Sequence, residues 1–302
     1  METWKHWMLA ARPKTLPAAA VPVLVGGALA AAADLFSLLP WLICLAFSLL
    51  IQVGTNYAND YYDFRKGADD ERRIGPMRAV ASGWISPEAM YRGMVLVFVL
   101  AFLIGSLLVF WGGWWLVLVG IVSIICGIAY TGGPYPLGYN GWGDVFVFIF
   151  FGWVATCLTY YVQAGSFVVM LPSGTGVTWS LLAGMVPGAL ATNLLVVNNV
   201  RDEPLDRQVG KRTLAVRWGK QFGLAQYGVL SLLALVVPLA FATVGGQWGC
   251  LCVLPGAPLL LSNYRLLAKA TDRDGFERVL VRTALALLLV GGLFCLGLLL
   301  SW

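Results

Sequence analysis

Apolar runs of transmembrane length follow one another along the chain, interrupted by short polar stretches. A crossing needs about 20 consecutive apolar residues. By that measure the hydropathy breaks predict nine spans, over 15–33, 38–58, 93–110, 114–131, 143–164, 181–199, 224–243, 247–264 and 283–301. The expected fold is all-α, a polytopic helical bundle forming one membrane domain over residues 1–302. The connections are of two kinds. Loops near 34–37, 111–113, 165–180 and 244–247 hold no Lys or Arg, and the 132–142 loop carries neither sign. Segments 1–14, 59–92, 200–223 and 265–282 hold all 20 basic residues, as three, six, six and five. With nine spans and the N-terminus inside, every basic loop falls on one side. Cytoplasmic loops collect Lys and Arg, so that side is the cytoplasm and the C-terminus lies outside.

Composition agrees. Apolar residues make up 59% of the 302 and charged residues only 12%, which excludes a soluble enzyme, a disordered chain and a coiled coil. The net charge of +5 reads as topology rather than nucleic-acid binding, because the chain has no basic tail. Residues 1–33 pair basic residues with an apolar run, but that run is long for a signal peptide and contains Pro17 and Pro22, so it reads as a retained span. The six cysteines, scattered in or beside apolar runs, read as packing residues. A single histidine, His6, cannot supply a histidine metal site or a His-assisted triad.

The acidic residues carry the chemistry. Of 15, only Asp34 falls in an outer loop. Two clusters end the second and sixth spans. The first holds Asn56, Asn59, Asp60, Asp63 and Lys66; the second holds Asn198, Arg201, Asp202, Asp206 and Lys211. If the helices continue, Asn56, Asp60 and Asp63 share one face, as do Asn198, Asp202 and Asp206. Pro204 weakens helix continuation, which would leave Asp206 on a turn. Carboxylates at membrane depth are costly and mark function. Paired clusters at one face suit a hard divalent cation, and Mg2+ is commonly held by one or two carboxylates plus substrate phosphates. Neighbouring Arg and Lys would counter the remaining phosphate charge. Asp69 and Asp70 beside Arg72 and Arg73 read equally as a solvated loop.

Three further stretches support an inner-face site. Tyr130 to Asp144 is Gly/Pro-rich and starts the fifth span, with Asp144 as an N-cap or a catalytic acid. Arg73 through Arg78 to Gly83 reads as a mobile lid, and Arg12-Pro13-Lys14 opens the first span. The 13 Trp and 11 Tyr are mostly interfacial anchors, a minority lining a lipid-tail tunnel or steadying a cation.

Arg12-Pro-Lys-Thr-Leu-Pro17, Asn56-x-x-Asn59-Asp60-x-x-Asp63, Gly75-Pro-x-Arg78 and Asn198-Asn-x-Arg201-Asp202-x3-Asp206-x3-Gly210-Lys-Arg-Thr213 closely resemble the UbiA superfamily of intramembrane prenyltransferases. Within it they are similar to the branch that prenylates 1,4-dihydroxy-2-naphthoate for menaquinone synthesis. One position departs: many members carry a third acid where this chain has Gly67, with Asp69 or Asp70 as substitutes. The resemblance implies Mg2+ as cofactor, held by Asp60, Asp63, Asp202 and Asp206 as the catalytic set. It implies a polyprenyl diphosphate bound with Lys14, Asn56, Asn59, Lys66, Arg73, Arg78, Tyr130, Asn198, Arg201 and Lys211. The asparagines would orient ligands or metal-bound waters. The implied partners are this diphosphate, an aromatic acceptor and the bilayer, with no nucleic acid and no obligate protein. The implied place is the cell's inner membrane, with the site facing the cytoplasm. Two other readings stand: a different acceptor (4-hydroxybenzoate, homogentisate or a haem), or a cation-coupled transporter, whose site would normally lie nearer the midplane.

Overall fold

The computed structural model describes residues 2–68, 75, 77–171 and 174–301; Asp69, Asp70 and Arg73 lie outside them. Among the described residues, eight helical stretches are long and apolar enough to cross a membrane, and Trp115–Ala129 is apolar but shorter. Together they make the nine spans. In chain order the helices are α1 (Glu2–Ala11), α2 (Leu16–Ala32), α3 (Leu38–Arg65), α4 (Pro87–Ser106), α5 (Val109–Gly112), α6 (Trp115–Ala129), α7 (Gly143–Phe148), α8 (Ala155–Ala164), α9 (Val177–Gln208), α10 (Leu214–Thr243), α11 (Ala257–Lys269) and α12 (Arg273–Leu300). A π-helical stretch, Ile149–Val154, joins α7 to α8 inside one span, and a 3-10 stretch, Trp248–Gly256, leads into α11.

Local chemistry sets several ends. Ser86 Oγ accepts from Ala89 N at 3.2 Å ahead of Pro87 in the first turn of α4, and Asp272 Oδ1 accepts from Gly275 N at 2.7 Å at the start of α12. α3 ends where Gly67 turns to φ 66, a conformation that glycine adopts without steric cost. That turn accounts for a glycine where the resemblance sets an acid.

α9 and α2 are the most buried spans, while α3 and α4 show most of their surface to the surroundings. α9 packs on α10, α2 on α12 and α8, and α3 on α4. A second core of Tyr57, Met90, Met94 and Phe98 fastens residues 79–85 to α3 and α4.

Three local readings change. Pro204 does not end α9: residues 205–208 stay helical and Val209 N bonds Leu205 O at 3.1 Å, so Asp206 stands on the helix rather than a turn. The 165–180 loop contains a short antiparallel ribbon, Val169–Leu171 paired with Gly174–Gly176. Asp144 is the second residue of α7, not its N-cap, a place taken by Trp142.

Candidate active site

The last three turns of α3 bring Asn56, Asn59, Asp60 and Asp63 to a buried face. Asp60 is 1% exposed. Its Oδ2 accepts from Ala79 N at 3.0 Å and its Oδ1 from Val80 N at 3.1 Å. The two backbone amides fix the carboxyl group in one orientation. Asp63, 2% exposed, accepts from Tyr139 Oη at 2.8 Å and from Arg78 Nη2 at 3.3 Å. Residues 78–80 therefore serve both aspartates.

The second cluster meets the first through a lysine. Lys211 Nζ lies 3.6 Å from Asp206 Oδ1 and 3.7 Å from Asp63 Oδ1. Arg201, on α9, grips its neighbour Asp202 in a two-pronged pair, Nε to Oδ1 and Nη2 to Oδ2, each at 2.7 Å. Among the described residues its Nη1 is buried without a hydrogen-bond partner, a donor left over beside Asp202. Lys66 Nζ donates to Thr131 O at 2.6 Å, and Thr131 Oγ1 donates to Asn59 Oδ1 at 2.9 Å. Burial holds the Lys66 ammonium below its ordinary range, with Asp63 opposing that shift and Lys211 adding to it.

Behind the polar cluster lies an apolar cavity of about 140 Å³ between α2, α3, α4, α6 and α7–α8. Phe47, Phe102, Phe146, Phe150 and Phe151 line it, and Tyr130 stands at its polar end. Tyr130 is within electrostatic reach of Asp63, Asp144 and Asp206. Its ring occupies space left by two glycines: a Cβ on Gly143 would come 2.9 Å from Tyr130 Oη, and one on Gly138 3.1 Å from its ring. Asp144 faces the same region and accepts from Gln226 Nε2 at 2.9 Å and Asn199 Nδ2 at 3.4 Å.

The structure thus gathers Asp60, Asp63, Asp206, Lys66, Arg78, Lys211, Asn59 and Tyr130 around one polar region, with Arg201 and Asp202 one turn earlier on α9 than Asp206. Asn56 is occupied elsewhere. Its Nδ2 donates to Ala11 O at 2.9 Å and Thr15 Oγ1 at 3.1 Å, fixing the break between α1 and α2. At that break Arg12 adopts φ 52, a conformation that costs a non-glycine residue roughly 1 kcal/mol or more, and its guanidinium lies within electrostatic reach of Asp60. Lys14 pairs instead with Glu277 of α12 in an exposed position. Asn198 makes no side-chain hydrogen bond among the described residues. Tyr139 was not singled out by sequence; it is one of 11 tyrosines, and only the folded contacts distinguish it.

No three of His, Cys, Asp or Glu converge as a metal cage among the described residues. The donors are pairs of hard carboxylate oxygens on α3 and α9 beside cationic side chains. That set fits Mg2+ in its usual mode, one or two carboxylates per ion with phosphate oxygens completing the shell.

Residues 19–285 match the UbiA prenyltransferase family. The chain is 35% identical to the 1,4-dihydroxy-2-naphthoate octaprenyltransferase of Haemophilus influenzae, over 99% of this chain and 97% of that protein. It is 37% identical to the enzyme of the same name from Escherichia coli, over 98% and 95%. Its fold is similar to that of a UbiA homolog from Archaeoglobus fulgidus solved with GPP and Mg2+, with a TM-score of 0.60 at 14% identity over 96% of this chain and 99% of that one.

Proposed function

We infer the reaction from the premise that the chain belongs to the UbiA prenyltransferase family: it transfers a polyprenyl group from its diphosphate to 1,4-dihydroxy-2-naphthoate, releasing diphosphate and CO2 and leaving demethylmenaquinol. The observation that carries the reading is the junction at Tyr130, where an apolar cavity for a hydrocarbon chain ends against carboxylates and cations suited to a metal-bound diphosphate. Near-complete coverage of the naphthoate octaprenyltransferases supports the acceptor.

Asp60, Asp63, Asp202 and Asp206 would hold Mg2+, which when bound supplies positive charge to the diphosphate oxygens. Lys66, Arg78 and Lys211 stand as fixed donors for the same oxygens, and Arg201 Nη1 adds one that has no hydrogen-bond partner among the described residues. Donors already in place stabilise charge as it develops on the leaving group. Ala79 and Val80 hold Asp60 in its rotamer, Asn59 steadies Thr131 beside Lys66, and Tyr130 closes the polar end of the cavity. The phenylalanine-lined wall seats the prenyl chain and keeps water from the allylic cation. The electron-rich naphthoate ring attacks C1 of the prenyl group, the C–O bond to diphosphate breaks, and loss of CO2 and a proton restores aromaticity.

The chain is an integral membrane protein. We place it in the cell's inner membrane with the carboxylates facing the cytoplasm and the C-terminus outside, because the helix ends that carry the basic residues are the ends that carry the site.

The test is incubation of the purified protein in detergent with Mg2+, a polyprenyl diphosphate and either 1,4-dihydroxy-2-naphthoate or 4-hydroxybenzoate, read by mass spectrometry. Prenylated, decarboxylated naphthalenediol that disappears with EDTA is the expected product. Product from 4-hydroxybenzoate alone would overturn the acceptor, and no product from folded protein would overturn the reaction.

A further inference from the structure

Tyr139 touches two chain segments that sequence leaves far apart, the end of α3 and residues 211–212. Its Oη donates to Asp63 Oδ1 at 2.8 Å. Its ring lies 4.7 Å from Lys66 Nζ and 4.6 Å from Lys211 Nζ. A tyrosine serving as packing would bury its ring among apolar side chains, whereas this half-buried ring meets two ammonium groups. The turn that carries it is tied on both sides. Arg212 N donates to Tyr139 O at 2.7 Å, Gly138 N to Tyr130 O at 2.9 Å, and Arg217 Nη2 to Asn140 O at 2.8 Å.

Two ammonium groups in one place repel each other. The negative face of an aromatic ring attracts each of them, and a hydroxyl donated to a carboxylate holds that carboxylate in one rotamer. We propose that Tyr139 is a positioning residue for the diphosphate: its ring gathers Lys66 and Lys211 where the leaving group arrives, and its hydroxyl sets Asp63 beside them. The proposal rests on the diphosphate reading above. It divides the side chain into two roles. The ring governs affinity for the diphosphate through the lysines; the hydroxyl governs the rate through Asp63.

Tyr139→Phe keeps the ring and removes the hydroxyl. Tyr139→Leu and Tyr139→Met remove both, and the methionine variant serves if the leucine variant does not fold. The readouts are the Kd of a polyprenyl diphosphate by calorimetry in detergent with Mg2+, KM for each substrate, kcat, and monodispersity with Tm as a check on folding. Tyr139→Phe is expected to leave the Kd within about twofold while kcat falls several-fold. The leucine and methionine variants are expected to raise both the Kd and the KM for polyprenyl diphosphate about tenfold, the scale of two partly desolvated cation–ring contacts, with KM for the acceptor unchanged. Adding Lys211→Met to Tyr139→Leu should then weaken binding by less than the product of the two single effects.

Unchanged affinity in folded leucine and methionine variants, or equal weakening by phenylalanine and leucine, would overturn the proposal while leaving the diphosphate reading intact. Wild-type protein that binds no polyprenyl diphosphate would overturn both.

Discussion

Lys211 Nζ lies 3.7 Å from Asp63 Oδ1, so the lysine of the second cluster also serves an aspartate of the first. The same ammonium is 3.6 Å from Asp206 Oδ1. With Asp63 2% exposed and Asp206 7%, neither carboxylate has enough water to spread its charge. Lys211 is therefore the contact that makes two helix ends into one site.

Lys211→Met leaves these carboxylates facing each other across the place proposed for the diphosphate. A hydrogen bond to a charged group contributes about 1.5–3 kcal/mol, so KM for polyprenyl diphosphate should rise about 10- to 100-fold. Lys211→Arg should recover part of the loss. Initial rates at varied diphosphate concentration check this, and an unchanged KM would show that the lysine is bystander to the substrate.

Asn56 gives the opposite expectation. Its amide holds Ala11 O and Thr15 Oγ1, so Asn56→Leu should act on the fold: a loss of about 1–3 kcal/mol from the orphaned polar groups, seen as a Tm several degrees lower in detergent. The Mg2+ concentration for half-maximal rate should not move. A shifted Mg2+ dependence at unchanged Tm would restore the ligand-orienting role that its place in the motif suggested.

The cavity supplies a third expectation. Among the described residues a Cβ on Gly120 would meet only Phe47 within 4 Å, at 4.0 Å, and Gly120 lines the cavity. A leucine there projects into the lumen without displacing a helix. Gly120→Leu should lower kcat/KM for long polyprenyl diphosphates about tenfold or more while a ten-carbon chain keeps its rate, since roughly four carbons of added bulk exclude a similar length of substrate. Competition between chain lengths, read by product mass, checks it; equal loss for both lengths would mean that the chain takes another path.

Much of this arrangement is legible in the sequence because the bilayer imposes it. Apolar runs must be helices of a certain length, and the basic loops must share a side, so the spans and their parity follow from hydropathy and charge alone. The aspartates stand out for the same reason: ionised groups at helix ends beside the membrane need a purpose. What stays hidden depends on contacts between distant segments. Nothing local marks Tyr139 off from Tyr135 four residues earlier, which is exposed. The shared role of Arg12 and Lys14 splits only when the break at φ 52 turns one toward Asp60 and leaves the other to Glu277. Pro204 looks like a helix end, yet the chain tolerates one missing backbone bond and carries Asp206 a turn further along α9.

The proposal that the two aspartate clusters act as one site is tested most directly by a double-mutant cycle on Asp63 and Asp206. Diphosphate release with Mg2+, polyprenyl diphosphate and 1,4-dihydroxy-2-naphthoate would be measured for Asp63→Asn, Asp206→Asn and the pair. Groups that act as a unit give strongly non-additive losses. Each single variant should lose most of the rate, about a hundredfold or more, and the double variant should lose little beyond the worse single. Losses that multiply, or a single variant that works at the wild-type rate, would contradict a shared site.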